Sequence, residues 1–251
     1  MRIALCSLLA SVLGLGACNF GGGEGDDYYT EPGGGGGSYG QSGGLIPDAR
    51  MGDAGAAIDG QICGLVDYRD WDDCTMSGYD GYLVELGTSQ GSANDGGMFS
   101  MPTPGGTNLV WKVYDVVVGT PARTTYAPFS PSTVVFTHRQ ADYEDLAQNN
   151  GAAPISGGAV FVRVRKANVP VVDATATITP ASASLTLYDD VSAATWGVTN
   201  TGELGVIWFP NVPASAAATV TITPAGPSAV PYTLTLPVVN QATTFVTAEI
   251  P

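Results

Sequence analysis

Residues Ala159-Val160-Phe161-Val162-Arg163-Val164-Arg165 decide the fold class. Strict alternation puts Val160, Val162 and Val164 on one face and Phe161, Arg163 and Arg165 on the other, which is the period of a strand. Short runs of the same kind lie to either side. Upstream are Tyr82–Leu86, Leu109–Val118 and Val134–Thr137. Downstream are Ala174–Thr179, Leu185–Tyr188, Val206–Phe209, Thr219–Thr223, Tyr232–Leu236 and Phe245–Ile250. Val and Thr dominate these runs, and Gly, Pro, Asn and Asp punctuate them. Many short strands with turn signals between them predict an all-β sandwich or barrel. Only Gln140–Gln148 has the composition of a short helical turn. Pro180, Pro210, Pro213, Pro224 and Pro237 are expected to close strands, because proline cannot donate to a ladder.

The chain has 251 residues, 34 of them Gly and 17 Pro, with 9 Lys+Arg against 23 Asp+Glu and one His. Charged residues are 13 % of the total and hydrophobic residues 44 %. That apolar share is too high for a disordered acidic chain. A net charge of −14 disfavours nucleic-acid binding, which needs basic patches. One histidine excludes a two-histidine relay or a His-rich metal site. Residues 19–95 hold fourteen acidic and two basic side chains, residues 96–251 nine and six, and no Lys or Arg follows residue 166.

The N-terminus reads MRIALCSLLASVLGLGAC. A single Arg2, an uncharged apolar run from Ile3 to Leu15 and small residues before Cys18 fit a secretory signal. The run is too short for a permanent bilayer span, which takes about 20 apolar residues. Leu15-Gly16-Ala17-Cys18 resembles the lipobox of bacterial lipoproteins. That resemblance implies cleavage after residue 17, diacylglyceryl attachment to the Cys18 thiol and usually a third acyl chain such as palmitate. Two or three chains anchor stably where one does not. Asn19, where Asp would signal retention, implies the outer membrane of a Gram-negative bacterium, facing either the periplasm or the cell surface. Residues 18–56 then form a Gly-rich, acidic tether. Twelve of residues 21–44 are Gly, and no apolar period is present. About 38 such residues span roughly 30–37 Å on average and reach about 130 Å when extended.

Beyond the tether the chain divides into two expected modules, residues 57–156 and 157–251. In the second, the blocks Pro170–Ile178, Thr199-Asn200-Thr201-Gly202-Glu203-Leu204 and Gly205-Val206-Ile207-Trp208-Phe209-Pro210-Asn211-Val212-Pro213 resemble the carboxypeptidase regulatory-like domain, a transthyretin-like (Ig-like) β-sandwich. Asp173 stands where that pattern has Gly, and Ala214-Ser215 replace its closing Gly. The first module follows the plan more loosely through Gly60–Val66, Gly81–Gly87 and Ala93–Met101. The resemblance implies a non-catalytic accessory, spacer, adhesion or glycan-associated role, and no cofactor. The expected function is an envelope lipoprotein with a structural or protein-interaction role, the alternative a glycan-binding or adhesion module. Its partners are the membrane, through the lipid, and an envelope protein or polysaccharide.

Export places Cys63 and Cys74 in an oxidising compartment, where they are expected to pair. They flank an acidic loop with Asp67, Asp70, Asp72 and Asp73. That loop lacks the spacing of a calcium-binding loop and reads as a solvated rim. His138 has no nucleophile motif beside it and reads as a surface residue, so no catalytic and no metal-binding residues are expected. Alternation around Phe209 turns Trp208 away from the Phe209 core. Trp208 and nearby Trp196 are therefore a candidate ligand or partner surface, unless they pack at the junction of the modules. Lys166, Glu203 and Asn240 would suit an intramolecular Lys–Asn cross-link, but Lys166 reads as exposed.

Overall fold

The computed structural model describes residues 57–106, 109–115, 124–128, 134–152, 156–190 and 196–251. The signal sequence, Cys18 and the tether lie outside them. Among the described residues the fold is all-β with one short helix.

The organising element is β9 (Gly158–Lys166), which contains the alternating stretch. It lies between β14 (Val206–Val212), antiparallel, and β17 (Thr243–Glu249), parallel. Around this trio runs a 10-stranded sheet, whose short β10 (Val169–Pro170) pairs with β9 at Lys166 and Arg165. On one side it continues through β12 (Leu187–Asp189) to β13 (Trp196–Gly197). On the other, β17 pairs in parallel with β7 (Thr125–Pro128) at Thr243–Thr125 and Thr244–Tyr126. From there the sheet passes through β6 (Val110–Tyr114) and β3 (Leu83–Leu86) to β4 (Ser89–Ser92). The boundary expected at 156/157 is thus crossed by one continuous hydrogen-bonded sheet.

Two smaller sheets cover this one. β11 (Thr175–Thr179), β15 (Ser215–Thr223) and β16 (Tyr232–Val238) form a three-stranded antiparallel sheet. Its inward residues Ala176, Ile178, Val220 and Ile222 meet Val160, Val162, Val164, Ile207 and Phe209. β1 (Ala57–Leu65) pairs with β5 (Met98–Pro102) and with β8 (Val134–Thr137). Ile62, Phe99 and Met101 there pack on Val84, Leu86, Trp111 and Val113. Each core is a sandwich filled by period-2 alternation.

A third core joins them, on the other face of β9, β14 and β17. It combines Leu65, Tyr68, Trp71, Tyr143 and Ala147 with Phe161, Trp208 and Phe245. The helix α1 (Gln140–Asn149) contributes its two buried residues, Tyr143 and Ala147. Every residue of β14 is consequently buried. A strand covered on both faces cannot keep a polar side, which explains the unbroken VIWF run.

Pro210 does not close its strand. It lies within β14, where the register with β9 shifts between Phe209 and Val212 and Asn211 takes φ 54°. A bulge leaves a backbone position unpaired, so proline is tolerated there. Gly205, at the head of β14, has φ 68°, and a Cβ there would lie 2.7 Å from the Val164 carbonyl oxygen. Only glycine fits that turn.

Candidate functional site

The loop between Cys63 and Cys74 builds the site. The two cysteines form a disulfide with their Cα atoms 5.5 Å apart. Inside the loop the Asp67 carboxylate accepts the Arg69 backbone N–H at 2.9 Å and both Arg69 Nε and Nη2. The Arg69 guanidinium beside Asp67 holds its carboxyl below the usual carboxylate range, against the opposing effect of burial. This fork and the Trp71 Nε1–H donated to the Tyr68 carbonyl at 2.9 Å fold the loop so that both rings point inward. The loop is therefore an aromatic plug with an acidic outer edge, not a solvated rim throughout. Tyr68 stacks on Phe161, with centroids 5.3 Å apart. Trp71 meets Phe136 at 5.1 Å and the Phe245 ring edge-on at 5.4 Å.

Trp208 and Trp196 continue this stack inside the protein. Trp208 lies flat against Phe161, with centroids 5.5 Å apart and an angle of 6°, and Trp196 meets Trp208 at 5.4 Å. Trp208 is 0 % exposed and Trp196 8 %. They do not form a ligand or partner surface. Alternation does point Trp208 away from the Phe209 core, but the far side of the sheet is a second core, at the junction of the two segments.

His138 is also buried, contrary to the expectation of a surface residue. Its Nδ1 is 3.0 Å from Tyr68 Oη and its Nε2 2.8 Å from Thr243 Oγ1. A hydroxyl donates or accepts, so either neutral tautomer is satisfied. The imidazole ties the plug loop to β17. Asp189 is a buried carboxylate, 2 % exposed. Its Oδ1 accepts the Gly202 and Val206 N–H at 3.0 and 2.8 Å, and its Oδ2 those of Leu204 and Gly205 at 2.8 and 3.1 Å. It fixes the 202–206 turn. Lys166 is exposed and donates to the Pro251 carbonyl at 2.6 Å, which leaves it outside the apolar setting that a cross-link requires.

Past the aromatic stack, β9 and β17 emerge into a cleft of about 610 Å³. Its principal lining is Trp71, Arg163, Arg165, Phe245, Thr247 and Glu249. Period-2 alternation sets Arg163 and Arg165 on the Phe161 face. The register places Thr247 beside Arg163 and Glu249 beside Arg165. The Arg163 guanidinium lies over the Trp71 ring at 5.1 Å and donates through Nη1 to Asp72 at 3.2 Å. Burial holds Arg163 below its ordinary range; the Asp72 charge opposes this and repulsion from Arg165 adds to it. Arg165 donates to the Asn168 carbonyl. Glu249 Oε1 accepts the Asn168 backbone N–H at 2.9 Å. The Nε atoms of both arginines are buried without a hydrogen-bond partner.

A smaller cavity of about 370 Å³ is lined by Tyr68, Tyr79, Tyr82, His138, Arg139 and Asp142. Among the described residues no three of His, Cys, Asp and Glu converge as a metal site. The sequence placed Arg163 and Arg165 on one face but gave them no role. The signal was their position beside Phe161 on a strand otherwise apolar. No family model, no curated protein and no solved structure matches this chain.

Proposed function

We propose that this chain is a non-catalytic envelope lipoprotein, anchored at the outer membrane through acylated Cys18. Its Gly-rich tether presents a β body for structural or protein-interaction duty. The lipobox-like Leu15-Gly16-Ala17-Cys18 and the tether support the anchor. The observation that carries the non-catalytic reading is the use of the buried carboxylate and the buried imidazole. Asp189 holds four backbone amides of one turn, and His138 lies between two hydroxyls from distant segments. Both side chains hold the fold together, and a group so engaged is poorly placed to exchange protons with a substrate. The resemblance of residues 205–213 to the carboxypeptidase regulatory-like domain supports the same reading.

The test is expression of the full chain in a Gram-negative host with labelled palmitate. The label and the membrane pelleting are expected to vanish together in Cys18→Ser. A wild-type chain that takes up no label, or a Cys18→Ser chain that still pellets with membranes, refutes the anchor. Protease treatment of intact cells then assigns the face: degradation means surface display and protection means the periplasmic side.

A further inference from the structure

We infer that the cleft over β9 and β17 takes one extended peptide segment of a partner protein, which adds as a strand to the open edge of β17. Three observations carry it. First, β17 pairs with β9 from Thr243 to Glu249, but with β7 only at Thr243 and Thr244. Along a strand the backbone groups of successive residues point to opposite neighbours. Thr243 donates its N–H to the Thr124 carbonyl on the β7 side, and Ile250 donates to the Arg165 carbonyl of β9. The odd positions of β17 therefore face away from β9. At Thr247 and Glu249 the N–H and C=O point to the side where β7 has ended. Among the described residues no strand pairs with them there. Both residues are exposed, and the Glu249 side chain turns back to the Asn168 N–H. Second, β7 stops for a local reason. Thr124 faces β17, so residues 126 and 128 do too, and position 128 is a proline that has no N–H to continue the ladder. Third, the walls of the cleft beside this row are apolar: Trp71, Pro128, Val134 and Phe136. They suit the alternate side chains of an added strand.

The class of ligand follows from the backbone. A row of unpaired donors and acceptors at ladder spacing is a template for another strand. Charge does not select the ligand, because Arg163 and Arg165 stand against Asp70, Asp72 and Glu249. The open edge begins inside the sheet, where β17 leaves β7. A folded partner offering its own edge strand would bring neighbouring strands onto β7, whereas a single strand fits between. Phe245 to Glu249 span five residues, roughly 16 Å of strand, which suits a short segment. The inference rests on the interaction role proposed above and deepens it.

The test pans a phage library of random nonapeptides on the full chain, purified in detergent, and titrates the enriched peptides by calorimetry after synthesis. They are expected to carry apolar residues at alternate positions. Thr247→Pro removes the outward N–H and sets the ring in its place. The β9 ladder does not use that N–H, and proline is tolerated at an outward strand position. The variant is expected to bind the peptides at least about tenfold more weakly, through one lost hydrogen bond and the bulk of the ring. The same peptides N-methylated at every residue are expected not to bind the wild-type chain. That comparison decides the matter if Thr247→Pro proves unstable. No enriched peptide, equal binding to Thr247→Pro, or binding that survives methylation overturns the inference. So does a chain that is dimeric without peptide and monomeric as Thr247→Pro, which would give the edge to a second copy. None of these failures alters Cys18 acylation, so the anchor is judged separately.

Discussion

Trp71→Ala tests whether the plug loop joins the two β segments into one cooperative body. Trp71 is 4 % exposed, and its indole touches Phe136 and Phe245 while lying under Arg163. An aromatic side chain buries about 150–250 Å², worth roughly 4–6 kcal/mol at about 25 cal/mol per Å² as an upper bound. Truncations of this kind in packed cores cost about 3–5 kcal/mol. The Nε1–H bond to Tyr68 adds about 1 kcal/mol, and the contact with Arg163 about 0.5–1 kcal/mol. Local relaxation of the disulfide-closed loop offsets part of this, so the expected loss is about 4 kcal/mol. For a unit of this size that lowers Tm by roughly 8–16 °C. The assay is denaturant unfolding followed by tryptophan fluorescence and far-UV circular dichroism. One transition, displaced equally for both probes, is the expected result. Leu185→Ala, at a residue 72 % exposed, serves as control and should change stability by less than about 0.5 kcal/mol. Two separated transitions with only one displaced, or a loss below about 1 kcal/mol, would refute the shared-core argument.

Removing the disulfide through Cys63→Ser with Cys74→Ser frees the unfolded chain of a loop whose ends are 11 residues apart. Loop-closure entropy for about 12 residues gives a loss of roughly 2.8 kcal/mol, read as the difference between the variant and the oxidised wild type. A difference under about 0.5 kcal/mol would contradict it. Asp189→Asn converts one carboxylate oxygen into a donor facing backbone N–H groups. Two amides lose their acceptor, and about 2–4 kcal/mol should go with them, with hydrogen exchange quickening first at residues 202–206. Unchanged exchange there would exclude the role given to Asp189. Acid should weaken the fold through Asp67 and Glu85. Arg69 holds Asp67 below its ordinary range, and Tyr114 then Lys112 do the same for Glu85. Carboxylates with lowered folded-state pKa add stability above their unfolded value near 4 and lose it as pH falls through the folded value. Their side chains are 37 % and 32 % exposed, so together they contribute under about 1 kcal/mol. The stability gap between wild type and Asp67→Asn/Glu85→Gln should be present at pH 7 and close below about pH 3; a gap that persists there rules the account out.

Much of the strand pattern was legible because period-2 alternation is a local property. β8 matches the run Val134–Thr137 end to end, and α1 extends the predicted Gln140–Gln148 turn by one residue. The surface assignments of His138 and the acidic loop fail, and the two alternatives for Trp196 and Trp208 stay open in the sequence, for one cause: immediate neighbours do not decide what covers a side chain. Their environment is set by residues far along the chain: Thr243 for His138, Phe161 and Tyr143 for Trp208, and Phe245 for Trp71. Asp189 gave no signal at all, because its four partners are backbone amides 13 to 17 residues away.

The sequence by itself determined the all-β class, most strand positions and the placing of Arg163 and Arg165 beside Phe161. It also carries the motif from which the Cys18 anchor is proposed. All of these follow from the alternation of side chains and the local chemistry of a few residues. Only the tertiary structure decided what covers the second face of β9, β14 and β17. The parallel pairing of β17 with β7 carries one sheet across both segments, and the disulfide-closed loop brings Tyr68 and Trp71 onto its aromatic face and buries it. A strand's pattern shows which residues share a face. Whether that face meets water or a second core depends on non-local pairing, which leaves no local period to read. The same non-local packing stops short of Arg163 and Arg165, and so leaves a charged cleft where the aromatic core ends.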